Sequence, residues 1–313
     1  MGLVYFNGRF VPEQHIQKIA EEARVLQLLR SFLDAREPGL ARFLVNFWRS
    51  QGRAITYKEL REAILAGDIS PELLEEWQQD YARFVTKHLQ PAWLEAMGAA
   101  AAELERKHPS WYFNPMDDAV RSWTTSHSAE FITNVTNTQI EGLRAVVQRA
   151  AVLDDLSVDE LARVIRPMIG LTKQQTTANM NYYENLLSNG VSEKRARDQS
   201  LRYAGRQHRH RAYTIARTEL ATAYNTGAYE GTKQAQKAGL IGEVVKVWCT
   251  AEDERVCTVC GALEGKKVGM DEEFDGASRG WSTHLTAPAH PGCRCAILYE
   301  EVAAPMQNNV LRN

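Results

Sequence analysis

The sequence predicts an α+β protein: a predominantly helical body followed by a small C-terminal β-containing module stapled by a Cys/His cluster. Three observations carry this. Apolar residues recur at one-face helical spacing, with cap signals between the runs, from Pro12 to Ala238. β-type runs are confined to residues 1–11 and to the stretch after Gly239. Four of the five cysteines fall in two motifs, Cys257-Thr258-Val259-Cys260 and His290-Pro291-Gly292-Cys293-Arg294-Cys295.

Taken in order, Leu3–Phe6 and Arg9–Val11 flank Asn7-Gly8, a strong hairpin signal that needs support from elsewhere in the chain. Leu40, Phe43, Leu44, Phe47 and Trp48 form one face of an amphipathic helix. Thr56 with Glu59 reads as a capping box. Ser70-Pro71 is an N-cap followed by a favoured first helical residue. Leu74, Trp77, Tyr81, Phe84 and Val85 keep the helical period until Pro91, which is expected to kink or break the helix. The pattern resumes through Trp93 and Met97 and ends at His108-Pro109. The loop Ser110–Pro115 is expected to fold its aromatic residues back onto a core, with an exposed contact surface as the alternative.

A polar helix follows from Met116 to about Ala150, then two capped helices opened by Ser157 with Glu160 and by Thr172 with Gln175, the second closed at Asn189-Gly190. Ala223, Gly227 and Gly231, four apart, permit close approach of another element. Ala238-Gly239 stops that helix. Val244, Val245, Val247 and Trp248 read as a strand, Lys267-Val268 as a second, and Arg294–Tyr299 as a third. Gly276–Thr286 reads as a long loop. The linear segments expected are a helical region (1–115, with a hairpin at 1–11), a helical domain carrying a basic helix (116–240), the Cys/His module (241–302) and a tail (303–313).

Two clusters of candidate functional residues stand out. Thiolates bind soft or borderline metals, and a tetrahedral site takes four ligands as two close pairs. Cys257 and Cys260 supply one pair; His290 with Cys293, or with Cys295 as the alternate, supplies the other. A structural Zn2+ is the expected cofactor. Reduced thiols in a core, or a redox-labile Cys257–Cys260 pair, is the competing reading. A catalytic zinc needs an open position and a nearby base, and nothing around Cys260 clearly supplies one.

The second cluster is basic. Between Lys194 and Arg217 cations greatly outnumber the single Asp198, and Arg202, Arg206 and Arg209 share a helical stripe. Such a stripe suits phosphates or an acidic partner surface, or else is a solvated face tied by salt bridges. Arg217 and Glu219, two apart, diverge on a helix and cannot pair with each other; Asp253 and Arg255 are candidate tethers.

Composition narrows the rest. A net charge of −2 gives no global attraction to polyanions, so nucleic-acid contact needs a local patch. The cysteine pattern is unlike a secreted disulfide framework. No apolar run approaches membrane-spanning length and no leader is visible at residues 1–11, so neither export nor a membrane partner is expected.

The motifs Ile215-Ala216-Arg217-Thr218-Glu219, Asn225, Gly227, Trp248, Asp253-Glu254-Arg255-Val256-Cys257, Cys260, Leu263-Glu264-Gly265 and His290–Cys295, in this order between Leu171 and Tyr299, resemble the phage Mu F-like head morphogenesis (minor capsid) proteins. The resemblance implies a non-enzymatic virion component in the capsid interior or at the portal vertex, made in the host cytoplasm. It implies portal or major capsid proteins as partners, and packaged DNA as a further one. No small-molecule substrate is expected. The alternatives are a DNA-binding module or a metal-dependent nuclease or transferase.

Overall fold

The computed structural model of the chain describes residues 3–6, 9–150, 157–251, 253–254, 256–275 and 283–302. Asn7-Gly8, Arg255, most of the Gly276–Thr286 stretch and the tail at 303–313 lie outside them. In chain order the elements are β1 (Leu3–Phe6), β2 (Arg9–Pro12), α1 (Glu13–Ala54), α2 (Tyr57–Ala66), α3 (Pro71–Phe84), α4 (Gln90–Lys107), α5 (Asp118–Ala150), α6 (Val158–Ile165), α7 (Lys173–Ser188), α8 (Glu193–Lys237), β3 (Val244–Cys249), α9 (Thr258–Leu263), β4 (Lys267–Gly269) and β5 (Ala296–Glu301). The protein is predominantly helical, with a small antiparallel sheet near the C-terminus in the order β4-β3-β5. β1 and β2 pair antiparallel across Asn7-Gly8.

Contacts divide the chain into two units: Met1–Arg36, Trp93–Arg121 and Arg217–Asn313 form one, Glu37–Ala92 and Ser122–Ala216 the other. The second unit is all helical. Its core joins Leu60, Ile64, Trp77, Leu143, Val147, Leu161, Ile165 and Tyr183. Local cap chemistry sets the ends of its helices. Thr56 Oγ1 accepts from Glu59 N–H (3.1 Å), and Thr56 N–H donates to the Glu59 carboxylate (2.7 Å). Thr172 and Gln175 form the same reciprocal pair. Ser157 caps α6 with its hydroxyl, but Glu160 does not return the bond. Its buried carboxylate accepts from Arg197 (2.6 Å) and from the Tyr183 hydroxyl (3.3 Å) instead. A buried charge needs such partners more than an exposed helix end needs a second cap.

Pro91 does not break the helix. Val85–Leu89 forms a π-helical turn between α3 and α4, in which Gln90 N–H donates to Val85 C=O. The wider turn carries the chain past the missing proline N–H.

In this unit α8 turns His208 and Arg211 inward. His208 Nε2 donates to Ile169 C=O (2.8 Å), and Arg211 donates to Gly170 C=O while its guanidinium lies over the Trp48 ring (5.1 Å). An imidazole and a guanidinium thus bond the carbonyls of Ile169 and Gly170, a few residues past the end of α6. Gly170 is required here: its φ is +89°, and a Cβ would sit 2.3 Å from Trp48 Cγ.

The first unit holds the sheet. One face, with Val247, Cys249 and Leu298, packs on Val25 and Leu26 of α1. The other face, with Trp248 and Ile297, covers Phe274, Leu263, Cys260, Cys293 and Cys295. α4 and α8 approach closely at Gly227, where a Cβ would fall 2.2 Å from Met97 Cα. The aromatic loop before α5 splits its side chains: Phe113 is buried, whereas Tyr112 and Met116 are exposed. The aromatics therefore fold back only in part: Phe113 N–H bonds Glu105 (3.0 Å) and Asn114 exchanges two bonds with Gln234 (2.8 and 3.1 Å), which anchors this pair while Tyr112 and Met116 on either side stay exposed.

Candidate metal centre

The Cys-x-x-Cys stretch opens α9. Cys257 acts as its N-cap, and its Sγ accepts from Cys260 N–H at 3.4 Å. The sulfur takes the place that a serine oxygen fills in an ordinary cap. This puts the Cys257 and Cys260 side chains together at one end of a short helix. The second motif approaches from the turn before β5, where Gly292 has a φ of +75°. Gly292 N–H donates to Thr218 Oγ1 of α8 (2.9 Å). Asn225, two turns further along α8, bonds the backbone of Cys295 and Ile297.

The two motifs converge. His290 Nε2 lies 3.1 Å from Cys257 Sγ and 3.3 Å from Cys260 Sγ, and Cys260 Sγ lies 3.6 Å from Cys293 Sγ. Cys257, Cys260 and His290 form one group of ligand atoms within 4.8 Å of one another; Cys260, Cys293 and Cys295 form a second that shares Cys260. Ligands on a tetrahedral zinc stand about 3.5–3.8 Å apart. The three spacings above are close to that, but neither Cys293 nor Cys295 lies within 4.8 Å of both Cys257 and His290, so the two groups meet at Cys260 and are not one tetrahedral set. A cavity of about 30 Å³ sits among these side chains.

The donor chemistry also fits a metal. His290 Nδ1 is 3.0 Å from Pro291 C=O and donates to it, which turns Nε2 toward the sulfurs. Hydrogen bonds from Cys260 and Cys295 hold Cys293 well below the ordinary thiol range, while the same bond to Cys293 pushes Cys260 up. Burial works against the Cys257 thiolate, but the Cys260 N–H and the His290 charge outweigh it and lower this thiol. The cluster could hold a metal ion. Among the described residues no carboxylate joins either group.

Cys249 is not part of it. It lies on the opposite face of the sheet, its thiol donates to Val247 C=O (3.6 Å), and burial raises its pKa to about 12.

Arg294 carries a contact that the sequence reading did not single out. Its guanidinium makes a two-bond pair with Asp253 (2.7 Å each), which ties the segment before Cys257 to the segment holding Cys293 and Cys295. Arg217 is half-buried and its charge acts on Arg294; Glu219 is buried. Thr218 and Asn225 were likewise missed as positioning residues. The available signal was their polarity within a small, apolar stripe of α8. Lys246 fastens the sheet from below the cluster: its buried ammonium donates to Glu272 C=O (2.6 Å) and Leu285 C=O (2.7 Å), and burial lowers its pKa to about 8.

Arg202, Arg206 and Arg209 belong to the other unit. All three are exposed, and none has an ion-pair partner within 4.0 Å among the described residues. No helix among the described residues is long and apolar enough to cross a membrane.

Residues 156–298 match the family model described as Phage Mu protein F like protein, a span that holds all of α8 and both halves of the cluster. No curated protein and no solved structure matches the chain.

Proposed function

We propose, on the premise that residues 156–298 are a phage Mu F-like region, that this chain is a minor capsid or head morphogenesis protein. In this reading it is a non-enzymatic virion component, held in the capsid interior or at the portal vertex, and acts in procapsid assembly and in DNA packaging or ejection. The observation that carries the reading is the coincidence of that region with the two Cys/His ligand groups. The test is protein mass spectrometry on purified heads and procapsids from the phage that encodes the chain. A few copies per particle, together with co-purification with the portal protein, is the expected result; absence from both particles contradicts it.

Within this role, Cys257, Cys260, His290 and Cys293 hold one structural Zn2+, with Cys295 as the alternate fourth ligand. The Cys260–Cys293 sulfur contact of 3.6 Å supports Cys293. An ion held by these residues would tie α9 to the turn before β5. Thr218, Asn225 and Arg294 hold the second motif in place for it.

A second contact is with packaged DNA or an acidic portal surface, through Arg202, Arg206 and Arg209. Their exposure without carboxylate partners supports this, since the inward cations of the same helix do find acceptors.

A further inference from the structure

Among the described residues β5 pairs with β3 only, and its other side carries no strand. In the register Ile297 stands opposite Trp248 and Tyr299 opposite Lys246. Trp248 turns its backbone toward β4: its N–H donates to Lys266 C=O (3.1 Å) and its C=O accepts from Gly265 N–H (2.9 Å). The two pairs are therefore the non-hydrogen-bonded ones, and Ile297 and Tyr299 direct their backbone groups outward.

Asn225 fills the first outward position. Ile297 N–H donates to its Oδ1 (3.2 Å), and its Nδ2 donates to Cys295 C=O (3.4 Å). The side-chain amide thus stands in for one peptide unit of a further strand. Beyond it, Ile297 C=O and the N–H and C=O of Tyr299 have no hydrogen-bond partner among the described residues. These groups line a cavity of about 620 Å³ whose walls include Val25 and Leu28 of α1, Leu104 of α4, and Ala228 and Thr232 of α8. Asn225, Ala228 and Thr232 follow one another at helical spacing, so one stripe of α8 runs beside the strand edge.

We propose that this groove binds an extended segment of a partner protein, which adds to the sheet as a fourth strand beside β5. Unpaired donors and acceptors at strand spacing recognise a peptide backbone, and the mixed walls, where Val25, Leu28 and Leu104 stand among Lys18, Arg24 and Glu103, take its alternate side chains. Helices share the groove walls with the edge, which suits a single extended segment rather than the edge of another sheet. The inference is independent of the metal centre.

Hydrogen exchange of the full chain, read by NMR, tests the open edge. Tyr299 N–H is expected to exchange at least about tenfold faster than Leu298 and Glu300 N–H, which face β3. A library of linear decapeptides is then selected on the full chain and counter-selected on Ala228→Phe, which fills the groove from a half-exposed position. If that variant unfolds, Leu28→Glu on the opposite wall replaces it. A selected peptide should slow Tyr299 exchange by about tenfold and lose binding only when alternate backbone nitrogens are methylated. Three results overturn the proposal: a Tyr299 amide already protected in the free chain, no peptide that distinguishes the wild type from the filled variant, or methylation sensitivity without alternation.

Discussion

Gly227 is where α8 comes nearest to α4. A Cβ there meets Met97 backbone rather than the end of a flexible side chain, so the helices must separate to admit it. Gly227→Ala is expected to destabilise by about 1–3 kcal/mol despite its better helix propensity, read as a lower denaturation midpoint. A midpoint at or above that of the wild type contradicts the close approach. His208 gives a pH test. Burial holds its pKa at about 4, against an unfolded value of about 6.5, with the Arg211 and Arg49 charges adding in the same direction and the Ile169 carbonyl opposing. The folded state keeps it neutral, so its contribution is whole above pH 6.5 and falls away as pH drops toward 4. The loss reaches about 3 kcal/mol. Urea unfolding at pH 7 and pH 4.5 should show a smaller acid loss in His208→Gln than in the wild type. Equal losses contradict the buried neutral imidazole.

At the scale of elements, the sequence was legible where the signal is local and illegible where a distant partner decides. The Thr56–Glu59 and Thr172–Gln175 capping boxes span three residues each, and both formed as read. Ser157–Glu160 has the same pattern, but Arg197 takes the carboxylate. Nothing in the α6 sequence announces that arginine. At Pro91, where a kink or break was expected, a π turn continues the helix, and Cys257 opens a short helix because a sulfur can cap one. α8 itself divides its cations between two faces, a split visible in the stripe Arg202, Arg206 and Arg209 but not in the partners of His208 and Arg211. If the outward stripe contacts phosphates, changing all three arginines to Gln should reduce the salt slope of duplex DNA binding by about 3 without altering thermal stability. An unchanged slope, measured by fluorescence anisotropy across salt concentrations, removes DNA from this face.

For the whole molecule, the order of motifs between Leu171 and Tyr299 pointed to the phage Mu F-like family, and the matched region covers nearly the same stretch. That Cys257 and Cys260 come near His290, Cys293 and Cys295 was legible from the spacing of the two motifs, since thiol and imidazole ligands in two close pairs suit one metal. The scaffold behind them was not, since Thr218 and Asn225 act on residues some seventy positions away. Nor was the assembly of each unit from separated stretches of chain. The central claim is that a metal joins the two motifs of the C-terminal module. Its most direct test is elemental analysis of chelator-free protein, wild type beside Cys257→Ser, with thermal unfolding of both. The account predicts about one zinc per chain in the wild type, and loss of both the zinc and several degrees of melting temperature in the variant. A wild-type protein that carries no metal, and melts at the same temperature with and without added zinc, contradicts it.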